Sequence, residues 1–367
     1  MKKILLFIYT LLGISSFSQN IYVTKRDYTS LNSSTYIHSL QEINQTNGNV
    51  INNYNYTTLF PSSYSPESLT YNVQTNEIFG ISGNIITKYN KATGLETSFS
   101  LPTIQNVFYR NLIIANNRLF IIKTDYTSMN ISTYIHSLQE INQTNGNIIN
   151  NYNYTTFFPN GNSPKSLTFN VVTKEIIGIS DNIIIKYNIL TGLETSFSLP
   201  TIQNVNYRNL IIANNRLFIT KRDYTSLNSS TYIHSLQEIN QTNGNVINNY
   251  NYTTIFPNGN SPDSLTFDNL TKEIYGISGN TIVKYSIITG LETSFNLPTI
   301  QYIDYSDLIS INSEDVLGLD ENKTSKVKAK VLKAYNLLGQ EIPIETYNQI
   351  IILKFDNGKS KKIYNQK

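Results

Sequence analysis

Apolar residues in this chain come in short runs, and each run is cut off by a cluster of polar turn formers. From Asn111 the text reads NLIIAN, NRLFIIK, STYIHSLQEIN and NIINNYNY. From Lys165 it reads KSLTFNV, KEIIGIS, NIIIKYNI and LETSFSLP. The runs are rich in Ile, Tyr, Phe and Thr, whose branched or aromatic side chains suit a pleated surface. The interruptions are Asn-Asn, Thr-Asn-Gly-Asn, Asp-Asn and Leu-Thr-Gly, all turn chemistry. No stretch sustains a 3.6-residue period with caps, so the pattern predicts strands and no helices.

The pattern also repeats. Tyr28–Pro61 recurs almost verbatim at Tyr126–Pro159 and Tyr224–Pro257, a period of 98 residues. Ser68–Asn106, which begins SLTYNVQTNEIFGIS, has counterparts from Ser166 and Ser264. Each period splits into two halves of about 49 residues with four short strands apiece, the unit of a β-propeller blade. Two blades per period over three periods predict six blades across residues 19–312. The strand Tyr109–Asn116 has copies at Tyr207–Asn214 and Tyr305–Asn312, but its first copy would fall inside residues 11–18. One end therefore lacks a strand and the other has one to spare. We expect the last to complete the first blade, a velcro closure that removes the edges an open array exposes. An open twisted stack is the alternative. Segments such as Ser166–Gly192 resemble blades of the broad YVTN/NHL/PQQ-like propeller group, a likeness of blade style that implies the fold and no activity.

The two ends differ from this body. Lys2 and Lys3 precede the apolar run Ile4–Gly13, and Ser16-Phe17-Ser18 supplies small residues for a signal peptidase. A signal peptide over residues 1–18, cleaved between Ser18 and Gln19, is expected. The run is too short for a membrane span of ~20 residues, and no other run approaches one. Residues 313–367 carry ten Lys and seven acids, against 16 basic and 18 acidic residues in 19–311. That shift in charge marks a linker and a separate small β domain. The segments KVLKAYNLLGQEI (Lys330–Ile342) and IIILKFDNGKSKKI (Ile350–Ile363) resemble the C-terminal sorting domain of type IX secretion cargo in Bacteroidetes. The family's upstream Y-P-N-P motif is absent, and its G-x-Y is Asn348-Gln349-Ile350 here. The resemblance implies the type IX machinery as a partner, and release from or display on a Gram-negative cell. A further β unit packed beside the propeller is the plainer alternative.

Composition narrows the chemistry. Charged residues make up 14% of the chain, well below the ~25% usual for soluble domains. The 51 Asn nearly equal the 53 Lys, Arg, Asp and Glu together, so the polar surface is built of amides and hydroxyls. A net charge of +3 gives no footprint for nucleic acid. The absence of Cys excludes disulfides, Cys-ligated metals, a Cys nucleophile and a lipoprotein anchor.

The three histidines, His38, His136 and His234, recur once per period. Three His could share a metal, but they fall in the third strand of their blades, away from the channel, so no metal or cofactor is predicted. Glu42, Glu140 and Glu238 follow at i+4, about 13 Å along a strand, too far for a His–Glu base pair. Arg110, Arg208 and Asp307, on the expected inner strands, are the candidates for the central channel. Tyr–Asn stretches such as Asn52–Tyr56 fit either sugar stacking or an outer strand facing the next blade. Among the unmatched positions, Glu67/Lys165/Asp263 and Phe108/Asn206/Asp304 form no acid–base pair along the sequence. Near-identical modules suit multivalent binding better than catalysis, which needs different groups around one point. The reading is a secreted or surface-displayed binding or adhesion module for a glycan or surface protein. A propeller hydrolase or lyase acting on extracellular polysaccharide and a purely structural surface protein are the alternatives.

Overall fold

The structure, a computed structural model, describes residues 20–28, 36–60, 66–127, 134–158, 161–224, 232–256, 262, 264–311, 331–336, 340–343, 349–355 and 360–365. The expected signal peptide and its Ser18/Gln19 cleavage site lie outside the described residues. The chain divides into two compact units, Met1–Gly318 and Leu319–Lys367.

Among the described residues there is no α-helix, and the strands form seven four-stranded antiparallel sheets. Six are propeller blades. Blade 1 comprises Asn20–Asp27, Ile37–Ile43 and Val50–Asn55, with Ile303–Ile311 added on its inner side. Blade 2 is Glu67–Asn72, Glu77–Ser82, Ile85–Asn90 and Glu96–Ser100. Blade 3 is Val107–Ala115, Arg118–Asp125, Ile135–Ile141 and Ile148–Asn153. Blades 4 and 5 begin with Ser166–Asn170 and Val205–Ala213, and blade 6 runs from Ser264–Asp268 to Glu292–Asn296. Odd and even blades are thus the two halves of the 98-residue unit.

The ring closes as the stray strand predicted. Ile303–Ile311 pairs antiparallel with Asn20–Asp27, from Asn20 opposite Ile311 to Asp27 opposite Ile303. The same strand touches the inner strands of blade 6 and blade 2. Each inner strand meets the next around the circle, which excludes the open stack.

The core is six separate clusters, one at each blade junction. Phe79, Ile81, Ile86 and Leu101 of blade 2 bury against Tyr109, Leu112, Leu119, Ile121 and Ile141 of blade 3. The 4/5 and 6/1 junctions copy this arrangement. The 1/2, 3/4 and 5/6 junctions are smaller in apolar content and are rimmed by Tyr pairs. Because both faces of each blade are covered, second strands such as Arg118–Asp125 and Glu175–Ser180 carry consecutive apolar residues and do not alternate. The Thr-Asn-Gly-Asn turn also belongs to a junction. Gly146 has φ +74°, and a Cβ there would lie 2.7 Å from the Phe99 ring of the preceding blade.

The second unit contains one sheet, ordered Glu341–Ile342, Val331–Tyr335, Gln349–Phe355 and Ser360–Asn365. Lys333 Nζ and Glu341 Oε2 pair across its first two strands at 2.7 Å.

Leu112 and Leu308 occupy equivalent buried positions, one inside a continuous chain and one on the closing strand. Leu308→Ala and Leu112→Ala are each expected to lower stability by about 2–5 kcal/mol. Urea unfolding of the two variants checks this; a near-zero cost at Leu308 alone would mean a detached closing strand.

Candidate functional site

The inner strands enclose a cavity of about 420 Å³ along the propeller axis. Its wall is threefold in pattern. Ser68, Ser166 and Ser264 each stand two residues before a Thr, in an identical Ser-Leu-Thr text at the start of each even blade. These hydroxyls accept hydrogen bonds from the next inner strand. Leu112 N donates to Ser68 Oγ at 2.7 Å and Ile114 N to Thr70 Oγ1 at 2.9 Å. Ile212 N to Thr168 Oγ1 at 3.0 Å and Ser310 N to Thr266 Oγ1 at 2.9 Å are the same bond in the other copies. The inner edge of an odd blade has no fifth strand, and side-chain oxygens satisfy its N–H groups instead.

The symmetry fails at one point. Asn111 and Asn209 donate through Nδ2 to the carbonyls of Pro164 and Pro262, both at 3.2 Å, tying an odd blade to the next even one. The third copy is Asp307, which has no donor to give. Its carboxylate instead accepts from Leu69 N of blade 2 at 2.5 Å, from the Ser264 hydroxyl of blade 6, and from Leu308 N at 2.9 Å. Blade 2 is reshaped to meet it. Ser68 adopts φ +54° and the register slips between Glu67 and Thr70, a bulge that blades 4 and 6 lack. Burial pushes Asp307 up to about 6, against its hydrogen bonds, and the Glu67 carboxylate adds to the rise. Glu67 stands at the mouth, where the surrounding wall raises its carboxyl while Arg26 and Arg110 pull it down. The channel thus brings together two acids that lie 240 residues apart in the chain.

Of the three residues predicted for the channel, Asp307 lines it. A register shift between Arg110 and Leu112 turns Asn111 to the channel and leaves Arg110 exposed. Arg208, also exposed, lines a side cavity of about 610 Å³ between blades 4 and 5, with Lys165, Asp181 and Asn206. The Ser-Leu-Thr residues were missed. Their signal was the invariance of that text in all three copies.

The other repeated polar groups are engaged within a blade or between neighbouring blades. Glu140 takes Arg118 Nε at 2.7 Å, a second Arg118 nitrogen, and Asn150 Nδ2 at 2.6 Å; Glu238 does the same with Arg216 and Asn248. The bidentate guanidinium bonds hold both carboxyls below their ordinary range. Blade 1 has Asn20 where the others have Arg, and Lys91 of blade 2 lies in electrostatic reach of Glu42 instead. Glu194 accepts from Thr155 N and Thr156 N at 2.8 and 2.7 Å, as Glu96 and Glu292 do in their copies. The histidines are buried, each edge-on to Phe60, Phe158 or Phe256. Burial holds His38 and His234 down at about 4, with Arg26 and Arg222 adding to the effect. The Tyr–Asn stretches are outer strands, and Tyr54, Tyr152 and Tyr250 pack on Tyr89, Tyr187 and Tyr285 of the next blade at 4.7–4.9 Å. Among the described residues, no group of three or more His, Cys, Asp or Glu is placed to hold a metal ion.

No family model matches this sequence, and no curated protein matches it. Solved structures share the fold. The nidogen/laminin complex contains a chain with a TM-score of 0.52 and 8% identity, matched over 80% of this chain and 98% of that one. A Bacteroides fragilis protein provisionally named a 6-phosphogluconolactonase gives 0.48 and 11%, over 81% and 99%. TolB from Acinetobacter baumannii gives 0.47 and 14%, over 83% and 69%. At these identities the likeness is one of fold alone.

Asp307 provides a pH test. A carboxyl raised in the folded state binds its proton more tightly there than in the unfolded chain. Its contribution is therefore fully present below the unfolded value near 3.8 and is lost as pH rises through about 6. Asp307→Asn is expected to remove up to about 3 kcal/mol of that acid-favoured component. The readout is the difference in urea stability between wild type and variant at pH 4.5 and pH 7.5. A pH-independent difference would mean Asp307 is not perturbed.

Proposed function

We propose that this chain is an extracellular binding protein, a six-bladed propeller displayed on or released from a Gram-negative cell. It presents repeated surface features to a glycan or surface protein. One observation carries the reading. The acid buried in the channel, Asp307, has both carboxylate oxygens engaged, by Leu69 N of blade 2, the Ser264 hydroxyl of blade 6 and Leu308 N of its own strand. The repeated Glu residues are likewise committed, Glu140 and Glu238 to an Arg of their own blade and Glu194 to the preceding blade. A general acid or base must reach its substrate's proton, and Asp307 is turned to the wall. Binding asks only for repeated shape and hydrogen-bonding groups, which the three copies supply.

One feature favours the second reading, a hydrolase or lyase acting on extracellular polysaccharide. Glu67 combines a raised carboxyl with a place at the channel mouth, as a general acid needs. Export completes the proposal. The signal-like N-terminus would direct the chain to the periplasm, and the basic C-terminal sheet would hand it to the type IX machinery.

Two measurements test these readings. Removing residues 313–367 is expected to trap the protein in the periplasm, scored by fractionation of the producing cell; undiminished appearance in the medium sinks the sorting role. Glu67→Gln is expected to leave adsorption to bacterial or host cells unchanged. Release of reducing sugar by the wild type, abolished by Glu67→Gln, would establish the enzyme instead.

A further inference from the structure

Each odd blade carries, at its outer rim, the same arrangement of exposed apolar and aromatic groups. In blade 3 it is a cavity of about 280 Å³ whose wall includes Tyr134, Ile135, His136, Asn153, Thr155 and Phe157. Ile135 is 52% exposed, and Ile37 and Ile233 match it at 51% each. Beside them are edge-to-face Tyr pairs, Tyr28–Tyr36, Tyr126–Tyr134 and Tyr224–Tyr232, with centroids 4.3–4.6 Å apart.

Position 59/157/255 is the informative one. It is among the few that differ across all three copies of an otherwise near-identical segment, being Leu59, Phe157 and Ile255. These side chains are 89%, 72% and 90% exposed. Drift at a solvated position with no partner has no reason to stay within large apolar residues. Here it changed the side chain twice and kept it large and apolar.

The wall also specifies the ligand. Among the described residues, no Lys, Arg, Asp or Glu lines the blade 3 cavity, and burial keeps the His136 imidazole below its ordinary range and hence neutral. Behind the equivalent rims, His38 Nδ1 and His234 Nδ1 are buried without a hydrogen-bond partner. A neutral ligand that offers both an apolar face and hydroxyl groups is a sugar. The size of the cavity, just below the ~300–1,000 Å³ of small-molecule sites, suits a single ring. The same Tyr, Ile, His, Asn and Thr positions recur at the rims of blades 1 and 5, where Arg26 and Arg222 lie over Tyr28 and Tyr224 in place of Thr124, and three such related rims on one ring suit a polymer that repeats the same unit.

We propose that the rims of blades 1, 3 and 5 are three related subsites, built on the shared exposed apolar positions, for a neutral saccharide unit of a repeating polysaccharide. The assignment rests on the binding reading above and gives it a place and a ligand class. Each subsite is weak, and three together give avidity.

The test uses the mature chain Gln19–Lys367 and four soluble neutral polysaccharides: α-mannan, xylan, mixed-linkage β-glucan and glycol chitin. Wild type is expected to bind at least one, and a short oligosaccharide of it is expected to titrate near three equivalents per chain. Combining Leu59→Ser, Phe157→Ser and Ile255→Ser is expected to weaken polysaccharide binding by at least about tenfold, while each single change weakens it less. These side chains are mostly solvated, so the thermal midpoint should hold. Ile37→Asn, Ile135→Asn and Ile233→Asn form a second set should the first unfold. Undiminished polysaccharide binding by both sets overturns the subsites and leaves the binding reading intact, as does a stoichiometry of one. Adsorption to cells without affinity for any of the four overturns the saccharide class alone. Absence of both overturns the subsites and the binding reading together.

Discussion

Everything in the propeller depends on one strand pairing, that of Ile303–Ile311 with Asn20–Asp27. Blade 1 has only three strands of its own, and its inner edge would otherwise face the channel unpaired. The junction core between blades 6 and 1 needs this strand as well, since Tyr305 and Leu308 belong to it. So does the next junction, which takes Ile311. Two of the six hydrophobic clusters are therefore completed only when the ends of the ring meet. Such contacts join the two ends of the propeller in sequence, and their loop-closure cost precedes any return from burial.

The closure also explains the one irregularity in the wall. In the continuous part of the chain, Asn111 and Asn209 link neighbouring blades by donating to a proline carbonyl. Asp307 joins blade 1 to both neighbours by accepting, and the bulge at Ser68 delivers the Leu69 N–H that it needs. A carboxylate can take several donors at once where an amide oxygen takes fewer. Its burial opposes the charged form, and the acidic rim at Glu67 adds to that opposition. The ring is latched by a group whose own ionisation works against it near neutral pH.

Much of this was legible in the chain because the repeat writes the fold three times. The blade count followed from the period, and the closing strand from a copy missing at one end and surplus at the other. Turn chemistry marked the strand limits, since Thr-Asn-Gly-Asn admits only the tight approach that Gly146 makes to Phe99. The channel was less legible. Arg110 and Arg208 were natural candidates by strand position, but the register shift before Leu112 moves the channel-facing place to Asn111. A bulge leaves no signature in an alternation of residue types, because it is the alternation that slips. The partnership of Glu67 with Asp307 was hidden for a related reason. Each stands at an unmatched repeat position, and only the closed ring makes the two positions neighbours.

The rims and the channel obey opposite rules, and the contrast bears on function. Around the channel, copies differ in charge, as at Glu67 and Lys165, and the differences are absorbed by local contacts such as the Ser68 bulge. At the rims, Arg26 and Arg222 stand beside the Tyr pairs where blade 3 has Thr124, but the exposed position of Leu59, Phe157 and Ile255 stays large and apolar although the residue itself has changed. A single asymmetric site would concentrate both its differences and its function at the axis. A polyvalent surface would instead tolerate variation at the axis, so long as the ring stays closed, and hold its outer sites to a common character. The exposed apolar positions of this chain follow the second pattern, while the charged positions differ at the axis and beside the rim Tyr pairs alike. The axis holds the ring together, and the rims carry the exposed apolar positions that the three copies share.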